Sequence, residues 1–192
     1  MLGYLSNHLV DFLLHKGTVR EEDRDIYVYG YQIIISSMFG IILVLILGVF
    51  LKCLPESLTF LVVFIITRQY CGGYHARTFF KCCVLFIFSY LAILLLTELI
   101  IDRIVIYQII CLLLIYIITI FKYAPVENEN KRLSGKAKAS NRKKSIALSL
   151  FWSLIAIGLY SRLHALSLMI VLTLILVTIF ILVVEFRKEG QA

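Results

Sequence analysis

The chain has 192 residues, 61% of them hydrophobic and only 16% charged, with a mean hydropathy of +0.94 and a formal net charge of +7. That balance excludes a soluble globular domain of this length and reads as a polytopic membrane protein. Backbone groups in lipid must be paired internally, and no alternating barrel pattern is present, so the spans are predicted to be α-helices of one membrane-embedded domain, residues 1–192.

Residues 1–30 precede the first span. Tyr4, Leu5, His8, Leu9, Phe12 and Leu13 recur at helical spacing opposite Ser6, Asn7 and Asp11. The pattern predicts an amphipathic helix over residues 2–16 that lies along the membrane interface, the other reading being a solvated helical hairpin. Gly17 is expected to end it, and Thr18 with Glu21 has capping-box spacing for the next helix. These residues carry Asp11, Glu21, Glu22, Asp23 and Asp25 and do not read as a secretory signal, so the first span is expected to direct insertion.

Six apolar stretches follow. Residues 31–121 hold four, Ile33 to Leu54, Leu58 to Thr67, Val84 to Ile101 and Ile104 to Phe121, and residues 146–186 hold Ile146 to Tyr160 and Leu163 to Val184. Spanning takes about 20 residues, so the second must borrow from the polar patch that follows it. Residues 122–145 read as the one sizeable loop, with Ser134, Gly135, Ser140 and Asn141 as breakers and a run of basic residues from Lys131 to Lys144. With six spans, that run, Arg68, Arg77, Lys81, Lys122, Arg187 and Lys188 share a side with Lys16, Arg20 and Arg24, while the other side receives Lys52, Arg103 and Arg162. The basic side is expected to be cytoplasmic, giving a multi-pass cell-membrane protein with both termini inside. The loop itself reads as a topological anchor beside anionic lipid, or as a docking surface for an acidic peptide. No recognition helix or stacking platform accompanies it, so nucleic acid is not expected as a partner.

The chemistry-bearing segment is residues 68–83, Arg68-Gln69-Tyr70-Cys71-Gly72-Gly73-Tyr74-His75-Ala76-Arg77-Thr78-Phe79-Phe80-Lys81-Cys82-Cys83. A thiol and an imidazole at a membrane boundary suggest a cysteine nucleophile and its base. On one straight helix His75 and Cys82 would share a face but sit about 10.5 Å apart, too far for a hydrogen bond. The backbone is therefore expected to break at Gly72 and Gly73, with a helix starting near Thr78 that carries Cys82 toward His75. Arg77, Lys81 and that helix N-terminus would favour the thiolate. Cys83, one residue on, is the rival nucleophile. Gln69, or Glu127 or Glu129 of the loop, are candidates to orient the imidazole, and Arg68 to hold a carboxylate or developing oxyanion. As a zinc site, Cys71, His75, Cys82 and Cys83 match no familiar spacing, and an inert cytoplasmic loop is the other bland reading. Cys53 and Cys111 read as small apolar side chains, and all five thiols as free.

Arg68, Gly73, His75-Ala76 and Cys82 followed by a span resemble the signature of the accessory gene regulator protein B family, membrane cysteine endopeptidases of quorum sensing. Lys122-Tyr123-Ala124-Pro125 ahead of Glu127 and Lys131 resembles a second landmark of that family, and the overall plan is also similar. The resemblance implies His75 and Cys82 as the catalytic pair, with Arg68 and Gly73 supporting; Gln69, Arg77 and Lys131 are added as supporting candidates. Departures are the second thiol, Cys83, and Arg132 where the family often has proline. The implied substrate is a precursor peptide with an amphipathic leader and an acidic C-terminal tail. Cys82 would release the tail through a thioester that the peptide then closes into a thiolactone or lactone. Metal and cofactor are not required, and a homodimer is implied. The alternative is a non-enzymatic peptide transporter or membrane binding scaffold. A transporter should carry intramembrane ionisable groups along a path, and these spans carry almost none.

Overall fold

The computed structural model describes residues 2–74, 78–126 and 134–189. These residues form a helical membrane protein with seven α-helices: α1 Leu2–His15, α2 Arg24–Phe50, α3 Leu54–Cys71, α4 Phe79–Ile100, α5 Ile106–Tyr123, α6 Gly135–Leu159 and α7 His164–Glu189.

The N-terminal helix forms as expected and ends at Gly17. That glycine takes φ +67°, and Gly17 N and Thr18 N donate to Leu14 O and Leu13 O in a Schellman pattern. The Thr18–Glu21 capping box does not form. A 3-10 turn, Glu21–Asp23, intervenes with Arg20 before it and no side-chain cap, and α2 starts only at Arg24. The hairpin folds α1 antiparallel onto α2. Arg24 Nη2 lies 2.9 Å from Asp11 Oδ1 and 3.2 Å from Asn7 Oδ1, while Gly3 lies beside Gln32. Ser6 and Val10 are fully buried, and Tyr4, Leu5, Leu9 and Phe12 stay exposed. The polar edge of α1 therefore grips α2 and its apolar stripe faces outward.

The apolar stretches map onto α2 to α7 with shifted ends. Leu54 belongs to α3 rather than to the first span. Lys52 turns the chain at φ +58°, and Pro55, which cannot sit in a helix interior, occupies the first turn of α3. At its other end α3 takes Arg68 to Cys71 from the polar patch, as its short apolar core required. Half of the predicted loop 122–145 is helix instead, since α6 begins at Gly135 and runs through Ser140 and Asn141. Ser134 Oγ accepts from Ala137 N (3.4 Å), and the Lys, Arg and Ala residues that follow are good helix formers that outweigh two weak breakers. Among the described residues four helices are long and apolar enough to cross a membrane: α2, α4, α5 and α7. Neither α3 nor α6 is one of these; Glu56 and Arg68 stand near the ends of α3, and Arg142, Lys143 and Lys144 open the apolar part of α6.

The bundle is organised around α7, which packs on α3, α4, α5 and α6 and buries Leu168, Met169, Ile170, Val171, Leu174, Val177 and Ile181. Lipid removes the hydrophobic drive between helices, so close contact and buried hydroxyls must hold them. A Cβ added at Gly48 would overlap the Ser57 hydroxyl, which marks the close approach of α2 and α3. Ser57 Oγ meets Tyr90 Oη at 2.7 Å, Ser167 Oγ donates to Ala156 O at 2.6 Å, and Thr97 Oγ1 contacts Met169 Sδ at 3.2 Å. Each of these ties two helices together.

Candidate functional site

The site lies where α3 ends and α4 begins. The last turn of α3 places Arg68 inward and Gln69 on the exposed side. The helix stops because Gly72 and Gly73 take φ values of +74° and +128°, a region that side-chain-bearing residues rarely adopt. Beyond them Tyr74 N donates to the Phe180 carbonyl of α7 (3.2 Å), and Gly73 packs against the Phe180 backbone and Cβ. The backbone break expected between α3 and the cysteine-bearing helix is therefore present.

Arg68 is held from three sides. Its Nη2 donates to the Tyr74 carbonyl, and its Cζ lies 5.3 Å from the Phe64 ring centre and 5.0 Å from that of Phe180. A guanidinium packed against two aromatic rings and bonded to a main-chain oxygen is fixed in orientation as well as in place.

Cys82 sits in the first turn of α4, where the chain was expected to restart. Thr78 caps the helix: its Oγ1 accepts from Lys81 N (3.3 Å) and its carbonyl from Cys82 N (3.0 Å). Cys82 and Cys83 are both half-buried. Cys71 is fully buried at the end of α3, beside Ser145 of α6 and Tyr116 of α5. Cys53 lies 3.5 Å from Tyr90 Oη, and His164 stacks edge-on against Tyr160, so each has its own neighbours. The predicted base His75, together with Arg77, Glu127, Glu129 and Lys131, lies outside the described residues.

A second segment completes the neighbourhood. After α5 the chain passes through Ala124 and Pro125 to Val126, whose N donates to Cys71 O at 2.9 Å in a parallel bridge with Gly72. A Cβ at Gly72 would collide with the Val126 carbonyl oxygen. The two stretches singled out in the sequence, Arg68 to Cys82 and Lys122 to Pro125, are thus neighbours in space.

The family model described as Accessory gene regulator B matches residues 6–182. The chain belongs to the AgrB family. A protein of Clostridium perfringens strain SM101 described as AgrB-like is 31% identical over 152 residues, 74% of this chain and 71% of its own. A second C. perfringens protein, of strain 13, is 31% identical over 72% of this chain and 69% of its own, and one from Clostridium beijerinckii is 28% identical over 79% and 75%. No solved structure matches. The AgrB match spans α1 through most of α7, so it takes in both the α3–α4 junction and the segment that bridges to it.

Sequence reasoning missed the contribution of α7. Phe180 supplies a carbonyl for Tyr74 and a ring for Arg68, and Arg187 stacks on the Tyr74 ring at 4.8 Å. Lys144 of α6 does the same for Tyr70 at 5.0 Å. Nothing local distinguishes Phe180 from other apolar residues of a span, and only tertiary packing brings it to the site. In the sequence Arg187 reads as a positive-inside charge and Lys144 as part of the basic anchor or docking run, with no ring partner indicated for either.

Proposed function

We propose that this AgrB-family chain is a membrane cysteine endopeptidase that matures a quorum-sensing precursor peptide. What supports the reading most is membership of this family, in a chain whose α3 breaks at Gly72-Gly73 just after Arg68 and restarts as a helix that carries Cys82 in its first turn. In this reading Cys82 Sγ attacks the carbonyl carbon ahead of the precursor's acidic tail while His75 takes the thiol proton. The C–N bond breaks, His75 protonates the leaving amine, and the signal segment remains as a thioester on Cys82. A cysteine or serine of that segment then attacks the same carbonyl, closing a thiolactone or lactone and returning the thiol. Arg68 faces the charge that develops. Gly73 shapes the break, and Gln69, Arg77 and Lys131 support binding. Six helices, α2 to α7, would cross the membrane with the junction and both termini on the cytoplasmic side, and the active form would be a homodimer.

Co-expression with a tagged precursor tests this. Tail release, followed on gels and by mass, is expected to vanish in Cys82→Ala and His75→Ala and to persist in Cys83→Ala. Unchanged processing in all three variants would leave the chain as a transporter or scaffold.

A further inference from the structure

The far side of the segment that bridges to Gly72 lines a cavity of about 500 Å³ that the peptidase chemistry does not use. Lys122, Tyr123 and Pro125 come from the end of α5, Lys138 and Arg142 from the first turns of α6, and Glu185 from α7. Among the described lining residues three cations stand against one carboxylate, a net positive set. Arg142 is anchored there, because its Nη2 donates to Phe121 O at 3.2 Å.

We propose that this cavity binds the phosphodiester headgroup of an anionic phospholipid. The charge fits a monoanion, since Glu185 tempers the site for anything more highly charged. Its position fits a lipid rather than a free ion. It opens at the end of α5, a helix apolar enough to span, and the exposed rings of Phe121 and Phe186 flank Lys122 and Glu185 where acyl chains would lie. Basic pockets between helices at a membrane surface hold headgroups in this way. The inference stands apart from the peptidase reading, which needs no lipid here.

Native mass spectrometry and thermal unfolding of the full chain in detergent, titrated with phosphatidylglycerol, phosphatidylcholine, inorganic phosphate or an oligoglutamate peptide, test it. Phosphatidylglycerol alone is expected to remain bound and raise the unfolding temperature. Lys138→Gln with Arg142→Gln should weaken its binding about thirtyfold, from two cations lost near a headgroup. The charge-matched pair Lys136→Gln with Lys143→Gln, off the cavity on the same helix, should not. Equal loss in the control pair, or equal stabilisation by inorganic phosphate or phosphatidylcholine, would overturn the site. Selective protection by the peptide would make it a peptide site instead. If the cavity pair does not fold, Lys122→Gln carries the same comparison.

Discussion

Arg68 is tied to the α3–α4 junction by shape as much as by charge. It bonds the Tyr74 carbonyl while its Cζ sits beside the edge-to-face pair of Phe64 and Phe180, and a lysine ammonium can match the charge but neither the fork nor the planar packing. Arg68→Lys is therefore expected to slow tail release about tenfold or more despite keeping the charge, the packing on the rings alone being worth about 0.5–2 kcal/mol. A rate equal to wild type would show that only charge matters there. Gly72 is a second position where one atom decides. At φ +74°, with the Val126 carbonyl where a Cβ would go, Gly72→Ala should cost about 2 kcal/mol or more in detergent unfolding. Gly158→Ala, with open space around it, should be neutral or stabilising by up to about 1 kcal/mol. The need for a break at Gly72-Gly73 was legible in the sequence, because His75 and Cys82 cannot meet along one helix. What the break bonds to was not, since Val126 and Phe180 arrive from distant parts of the chain.

Among the elements, α1 shows how a periodicity predicts a helix and its end but not what its polar edge packs against. The spacing of Tyr4, Leu5, Leu9 and Phe12 gave the helix and Gly17 gave its end, but a hydrophobic stripe does not say which face packs on protein and which meets lipid. Here Arg24 pairs with Asp11 and Asn7 at the exposed seam of α1 and α2, while Ser6 and Val10 are fully buried. Val10→Asp should release α1, lowering amide exchange protection of residues 2–15 by about 2 kcal/mol or more for an unpaired buried carboxylate. Leu9→Asp, on the outward stripe, should change protection by less than about 0.5 kcal/mol. The reverse ranking would place the stripe against α2. For α6 the misreading was one of weight: Ser140 and Asn141 looked like loop residues, but two modest propensity penalties do not overcome a capped helix rich in Ala, Lys and Arg.

Across the whole molecule, α3 links two polar centres that the fold keeps separate. At one end Ser57 meets Tyr90 Oη at 2.7 Å with Cys53 beside it, and at the other Arg68 meets Tyr74 and Phe180. Eleven residues of helix put about 16 Å between them. The first centre holds α3 to α4, and the second fixes the reactive segment against α7. Tyr90→Phe removes a buried interhelical hydroxyl and should cost about 1 kcal/mol of stability, in the range such bonds carry in membranes, with tail release unchanged. Phe180→Leu keeps the apolar volume nearly filled but removes the ring from Arg68. It should cost about 1–2 kcal/mol and also slow tail release. Because the sites share no partner, the double variant should lose the sum of the two stabilities within about 0.5 kcal/mol and show the rate of Phe180→Leu alone. A slower rate in Tyr90→Phe, or a clear departure from additivity, would mean that α3 transmits strain from one end to the other, and the packing of the whole bundle would then belong to the chemistry.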